Sequence, residues 1–168
     1  MSALHSFFRF AEQVHPFQVA SAHCDVPCGI YDPHTAQIAA HTVIRMIQLI
    51  QDMHEPITPA ERLQYAHAIA RYTAVKEEHA ERCKQEIRIL WGDYFKPEHL
   101  KQFPELHDLV WKVMKLGSKA RQGIDMNSAQ ELLATIQQIA VIFWKTKELE
   151  TVRMKAPYPS GGEIILPR

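Results

Sequence analysis

The stretch His23-Cys24-Asp25-Val26-Pro27-Cys28-Gly29-Ile30-Tyr31-Asp32-Pro33 puts an imidazole and two thiols within six residues, and follows them with a Gly and a Tyr. One short hook of backbone can grip a metal ion with such a set. The hook lies 22 residues inside the chain, and that position matters. If the chain is cut between Ala22 and His23, the His23 nitrogen becomes a free amine with a lone pair. The next backbone nitrogen belongs to Cys24. Once that amide loses its proton to a metal, amine and amide close a five-membered chelate ring. The amide and the Cys24 sulfur close a second. Pro27 and Gly29 permit a tight turn that returns the Cys28 sulfur to the open corner.

The resulting N2S2 set is planar. Tetragonal N/S ligation suits Ni(II) or Cu(II), whereas a tetrahedral thiolate-rich set suits zinc. The His23 imidazole hangs from the same residue as the amine and reaches an axial position. Two thiolates and an anionic amide are strong electron donors, so they favour a metal that gives up an electron and regains it. Unprotected thiolates climb the oxidation ladder from sulfenic to sulfonic acid, and coordination ties up the lone pairs that would react. While residues 1–22 remain attached, one ligand is missing. Proteolysis therefore acts as the switch for metal loading.

The leader, residues 1–22, ends in Ala20-Ser21-Ala22, as signal-peptidase sites do, but Arg9, Glu12, Gln13, His15 and Pro16 interrupt any secretory apolar core. A leader removed for another purpose fits better. The cysteines are three, Cys24, Cys28 and Cys83, too few for a disulfide scaffold, which points to a reducing, cytoplasmic setting. Cys83 falls in an apolar helical stripe and reads as a core residue. Nineteen basic residues balance nineteen acidic ones, so the charge points neither to nucleic acid nor to an anionic membrane surface. No apolar run approaches the roughly 20 residues of a membrane span.

Four helical segments must hold the hook in place. The first opens with Asp32 as N-cap and Pro33 as first helical residue, carries Ala40, Val43, Ile47 and Ile50 on one face, and ends near His54. The second opens with the capping box Thr58-Pro59-Ala60-Glu61 and runs to Trp91 through Leu63, Ala66, Ala70, Thr73, Ala80, Cys83, Ile87 and Leu90, with Gly92 as its stop. The third carries Leu106, Leu109, Val110, Val113 and Met114 and fades from Gly117 to Gly123. The fourth is capped by Ser128-Ala129-Gln130-Glu131, buries Leu132, Ile136, Ile139 and Phe143, and ends near Glu150. Four one-sided helices shelter their faces together. The expected fold is all-α: an antiparallel four-helix bundle over residues 34–150, preceded by the hook at 23–33 and followed by an extended tail at 151–168. No strand alternation is read anywhere.

HCDVPCGIYDP resembles the N-terminal nickel hook of the nickel-containing superoxide dismutases, whose pattern is H-C-D-x-P-C-G-x-Y. Leu90-Trp91-Gly92-Asp93-Tyr94-Phe95-Lys96-Pro97, Pro104-Glu105-Leu106-His107 and Ile142-Phe143-Trp144-Lys145-Thr146-Lys147 extend the resemblance over about residues 23–150. The tail is similar to that of cyanobacterial-type members. The resemblance implies a superoxide-disproportionating enzyme with one nickel ion per subunit, a homohexamer, and a dedicated leader peptidase. It implies that His23 gives amine and imidazole, Cys24 amide and thiolate, and Cys28 the second thiolate. Tyr31 would stand over the open face, Asp25 would brace the hook, Tyr94 would lie close to Tyr31, and Lys96 would attract the anionic substrate. Some family members hold the imidazole through a Glu and an Arg; Ala39 and His79 stand at those positions here, with His79 or Glu78 as substitutes. Two rival readings follow from the residues alone. One is a nickel- or zinc-handling protein without turnover, and the other a module cycling Cys24 and Cys28 through a disulfide.

Overall fold

The computed structural model describes residues 28–168, so the leader, His23, Cys24 and Asp25 lie outside the described residues. Among those described, the chain is mostly helical. Helices α1 (His34–Gln51), α2 (Pro59–Ile89), α4 (Leu106–Gln122) and α5 (Met126–Thr146) are long, and α3 (Pro97–Gln102) is a short turn between α2 and α4. Each long helix packs on two others in a closed ring, α1 on α2, α2 on α4, α4 on α5, and α5 back on α1. The ring encloses Val43 and Ile47 of α1, Ala80, Cys83 and Ile87 of α2, Leu106 and Val113 of α4, and Leu132, Ile136, Ile139 and Phe143 of α5. Burying each large apolar side chain stabilises the fold by about 1.5–3 kcal/mol.

The helix ends show where local chemistry decides. Thr58 and Glu61 form the expected reciprocal capping box: Glu61 N–H donates to Thr58 Oγ1 and Thr58 N–H to Glu61 Oε2. Helix α1 starts at His34, one residue later than expected, with Asp32 Oδ1 accepting from His34 N–H. The cap of α5 is Asp125, not Ser128. Its carboxylate accepts from the N–H groups of Asn127 and Ser128 and from the Ser128 hydroxyl, while Glu131 pairs with Lys112 of α4 at 2.7 Å. Gly117 does not end α4. A Cβ there would lie 2.7 Å from Lys84 Cγ and 3.2 Å from the Ala80 carbonyl, so its bareness lets α4 approach α2.

Two expectations about α2 fail. Its first half carries no buried residue before Lys76, and Leu63 is 71% exposed; Leu63, Ala66 and Ala70 repeat at helical spacing but face solvent. Lys76 itself is buried. Its ammonium donates to the carbonyls of Ala120, Arg121 and Gly123 at 2.5, 3.0 and 3.0 Å. A cation thereby satisfies the orphan carbonyls at the α4 C-terminus. At its other end α2 does not stop at Gly92. It widens into a π turn, Leu90–Tyr94, closed by Phe95 N–H donating to the Leu90 carbonyl at 3.0 Å.

The tail is extended, as expected, but it is paired. Strands β1 (Thr151–Lys155) and β2 (Glu163–Pro167) form an antiparallel hairpin with Arg153 opposite Ile165. Gly161 and Gly162 turn the loop with φ of 72° and 77°, a region open to glycine at little cost. Side chains of α1 hold the hairpin down. The Gln37 amide both donates to and accepts from the Ile165 backbone, at 3.0 and 2.8 Å, closing the open edge of β2. His41 is buried, with Nδ1 2.9 Å from Ser160 Oγ and Nε2 3.1 Å from the Glu163 carbonyl. The carbonyl requires Nε2 to carry the proton.

Burial pushes the His41 pKa below its ordinary 6.5. The unfolded chain takes up a proton below about pH 6.5 that the folded chain refuses, so the stability from neutral His41 is complete above that pH and is lost as the pH falls through the lowered folded value. Thermal melting from pH 7.5 to about 5 is expected to show a steeper acid loss in the wild-type chain than in a His41→Gln variant. Parallel losses would show that this clamp carries no linked proton.

Candidate metal centre

Residues 28–33 lead into α1 without regular structure. Cys28 is exposed and its thiol is free. Gly29 has φ of 71°, with open space where a Cβ would stand. The chain there runs as coil into the head of α1, with Cys28 exposed and Tyr31 partly buried against the core. Among the described residues no three His, Cys, Asp or Glu side chains converge on a metal-sized space. Cys28 is therefore the one described member of the expected ligand set. An exposed thiol in coil just ahead of a helix suits a thiolate ligand that closes a site begun by its neighbours. Cys83 does not. It is fully buried, donates its S–H to the Ala36 carbonyl at 3.6 Å, and burial holds its pKa well above the usual thiol range.

Tyr31 is brought together with Tyr94. Their ring centroids lie 5.5 Å apart, tilted by 51°. Tyr31 is delivered by the coil before α1 and Tyr94 by the π turn after α2. The wider turn shifts the residues after Leu90 relative to an α-helix, and this re-aiming is a common use of π turns at functional sites. Tyr94 packs 4.6 Å from Phe143 and stacks on His99 at 5.7 Å, and its hydroxyl lies 2.7 Å from Thr146 Oγ1. Beside Tyr31 a cleft of about 180 Å³ runs between the start of α1 and the end of α2, lined by Ile30, Tyr31, Asp32, Thr35, Glu86, Ile89 and Leu90.

Two residues here lie in the stretch Ile142 to Lys147 that carries the resemblance, but the sequence gives them no role at the site. One is Lys147, whose Nζ sits 5.1 Å from the Tyr94 ring centroid and 5.3 Å from that of Phe143. Lys96 is exposed, and its backbone N–H donates to His99 Nδ1. Thr146 is the second; its type and place at a helix end do not mark it as a partner of Tyr94. Three positions bear on the expected support of the imidazole, while His23 itself lies outside the described residues. Ala39 is buried in the core and has no polar side-chain atom. His79 donates from Nδ1 to the Val75 carbonyl one turn back, at 2.9 Å, and Glu78 is exposed.

Comparison with known proteins gives a consistent result. The family model described as nickel-containing superoxide dismutase matches residues 18–147. The chain is 40% identical over 133 residues to the nickel superoxide dismutase of Streptomyces coelicolor, covering 79% of this chain and 94% of that one. It is 41% identical over 128 residues to that of Streptomyces seoulensis, covering 76% and 90%. The native crystal structure of a nickel superoxide dismutase superposes with a TM-score of 0.65 at 40% identity, covering 74% of this chain and 99% of that chain. Among the described residues no helix is long and apolar enough to cross a membrane.

Proposed function

This chain belongs to the nickel-containing superoxide dismutases, and on that premise we propose how its own residues build the centre. The reaction is the disproportionation of superoxide to dioxygen and hydrogen peroxide, and nickel is the cofactor. We propose that removal of residues 1–22 frees the His23 amine. That amine and the imidazole, the Cys24 amide and thiolate, and the Cys28 thiolate then hold the ion. Nickel so bound supplies a one-electron couple, Ni(II)/Ni(III), that takes an electron from one superoxide and returns it to another.

The chain's own tasks are access, orientation and protons. The Tyr31–Tyr94 pair is the observation that carries the site assignment. These two aromatic rings pack against each other at 5.5 Å, one only three residues from Cys28, and so form a wall beside the approach to Cys28 that narrows it for molecules larger than a diatomic anion or water. The Lys147 ammonium adds positive potential beside Tyr94, which raises the arrival rate of an anion; Lys96, exposed just after the π turn, adds to it. Asp25 braces the hook through backbone contacts. His23 takes its support from other groups than a Glu–Arg pair, because Ala39 cannot provide one.

The ring of helices is an antiparallel four-helix bundle in this reading. The subunit assembles as a homohexamer, a dedicated peptidase removes the leader, and the protein works in the cytoplasm. A hook of so few residues has no core of its own, and packing against neighbouring copies is a direct way to order it.

The test is N-terminal sequencing of the native protein together with metal analysis. A chain starting at His23 with about one nickel per subunit is expected. A native chain that keeps Met1, or that carries only zinc and leaves superoxide untouched, overturns the proposal.

A further inference from the structure

A hydroxyl group has one proton and donates one hydrogen bond. Thr146 Oγ1 lies 2.6 Å from the carbonyl oxygen of Phe143, three residues back at the end of α5. The carbonyl has no proton, so Thr146 is the donor in that contact. The same Thr146 oxygen lies 2.7 Å from the Tyr94 hydroxyl. Its one proton is already committed, so the proton between Tyr94 and Thr146 comes from the phenol. The order runs one way, from the Tyr94 O–H to the Thr146 O–H to the Phe143 carbonyl.

We propose that Thr146 is a positioning residue for the superoxide reaction, holding Tyr94 as a hydrogen-bond acceptor toward the open face of the site. This rests on the site reading given above. With its proton turned toward Thr146, the Tyr94 oxygen offers only lone pairs on its other side. Superoxide has no proton to give such an oxygen and gains nothing from it. Water and hydrogen peroxide each have protons, so Tyr94 orders the proton-bearing partners of the reaction and not the anion. Proton delivery then falls to a group other than Tyr94.

Rigid surroundings keep the order fixed. The Tyr94 ring is wedged between Phe143 at 4.6 Å and Phe95 at 5.2 Å, with His99 stacked on it at 5.7 Å. Phe143 thus serves twice, its ring packing the phenol and its carbonyl ending the relay. Hydrogen bonds in series polarise one another. A Thr146 hydroxyl that donates to a carbonyl is a better acceptor for the phenol than an isolated one.

The test uses the cleaved protein, nickel-loaded and metal-free, with Thr146→Val, Thr146→Ser and Tyr94→Phe. Valine keeps the shape and removes the hydroxyl; serine keeps the hydroxyl. The tyrosine Fermi doublet in ultraviolet resonance Raman spectra reports whether a phenol donates or accepts, and subtracting the Tyr94→Phe spectrum isolates Tyr94. In metal-free protein a donor signature is expected for the wild type and Thr146→Ser, and its loss for Thr146→Val. In loaded protein Thr146→Val is expected to slow turnover about 3- to 10-fold and to shift its pH profile. Thr146→Ser restores both, and Thr146→Val has no further effect in a Tyr94→Phe background.

A donor signature that survives Thr146→Val overturns the relay. An equal loss from Thr146→Val with and without the Tyr94 hydroxyl reduces Thr146 to a packing residue and overturns its role. Loaded wild-type protein that does not consume superoxide overturns the proposed function, and the metal-free Raman spectra then still decide the donor order independently.

Discussion

Replacing Cys28 by serine is expected to abolish superoxide disproportionation while leaving the fold standing. The two halves of that result have different causes. Cys28 is exposed, and the structure gives it no partner among the described side chains that a serine would lose. Surface substitutions of this kind change stability by about 0.5 kcal/mol or less. Melting curves of metal-free wild-type and Cys28→Ser protein should therefore coincide.

Nickel loading is another matter. A thiol becomes a thiolate ligand near neutral pH when a metal is at hand, whereas a serine hydroxyl keeps its proton. Losing a group that merely supports a ligand costs a metal site about 10- to 100-fold in affinity or activity. Losing a ligand, and with it half of the sulfur donation that makes Ni(III) accessible, should exceed the upper end of that range. A 100-fold loss alone corresponds to about 2.7 kcal/mol. The checks are nickel stoichiometry after dialysis and pulse-radiolysis or stopped-flow superoxide decay. The Cys83→Ser variant is the control. Its thiol is buried and carries no ligand role here, so any loss there should come through stability. A Cys28→Ser protein that holds nickel and turns over superoxide at the wild-type rate would remove Cys28 from the centre.

The features legible in the sequence are those that neighbouring residues settle among themselves. Thr58 and Glu61 cap α2 as read, because each finds its partner within one turn. The apolar faces of α1 and α5 are buried as read, from Ala40 to Ile50 and from Leu132 to Phe143. The failures are places where a distant residue decides. Ser128 and Glu131 have the spacing of a capping box, but Lys112 of α4 takes Glu131 and the earlier Asp125 caps the helix. Gly117 reads as a breaker because the approach of Lys84 and Ala80 is invisible in sequence. Leu63, Ala66 and Ala70 have helical periodicity, and periodicity does not say whether another element covers them. The hairpin depends on Gln37 and His41 of α1, far upstream of the strands they clamp.

At the site the same division holds. In the sequence only resemblance pairs Tyr31 with Tyr94, and the structure brings them to 5.5 Å. The π turn that aims Tyr94 hides behind Gly92, which reads as a stop. Lys147 and Thr146 lie in a stretch that carries the resemblance, but neither charge nor hydroxyl at a helix end shows locally that it serves Tyr94. They matter through Tyr94, on a different helix end.

A chain made uncleavable between Ala22 and His23 is expected to fold and yet to bind nickel weakly and show no turnover. With residues 1–22 attached, the His23 nitrogen is part of a peptide bond. Its lone pair is delocalised into the carbonyl, which gives the C–N bond its partial double-bond character, so it does not donate to a metal as an amine does. One of the three nitrogen ligands proposed for the ion is gone, and the chelate ring it closed with the Cys24 amide is gone with it. The loss should match or exceed that of Cys28→Ser, beyond about 100-fold in activity, because a nitrogen ligand and a chelate ring are lost together.

Chelator competition measures the affinity directly, and superoxide decay measures the consequence. The metal-loaded cleaved chain should also melt at a higher temperature than its metal-free form, since a ligand that binds only the native state stabilises it, whereas added nickel should move the uncleavable chain little. The decisive comparison adds the peptidase step by hand. A version with an engineered protease site that exposes His23 as the first residue should recover nickel and activity together. One that leaves a single extra residue before His23 should recover neither, because its amine lies one position too far to close the same ring. Full activity in the uncleaved chain would instead favour a centre that ignores the chain terminus. The two thiols would then act on their own, and the leader would have no chemical reason to leave.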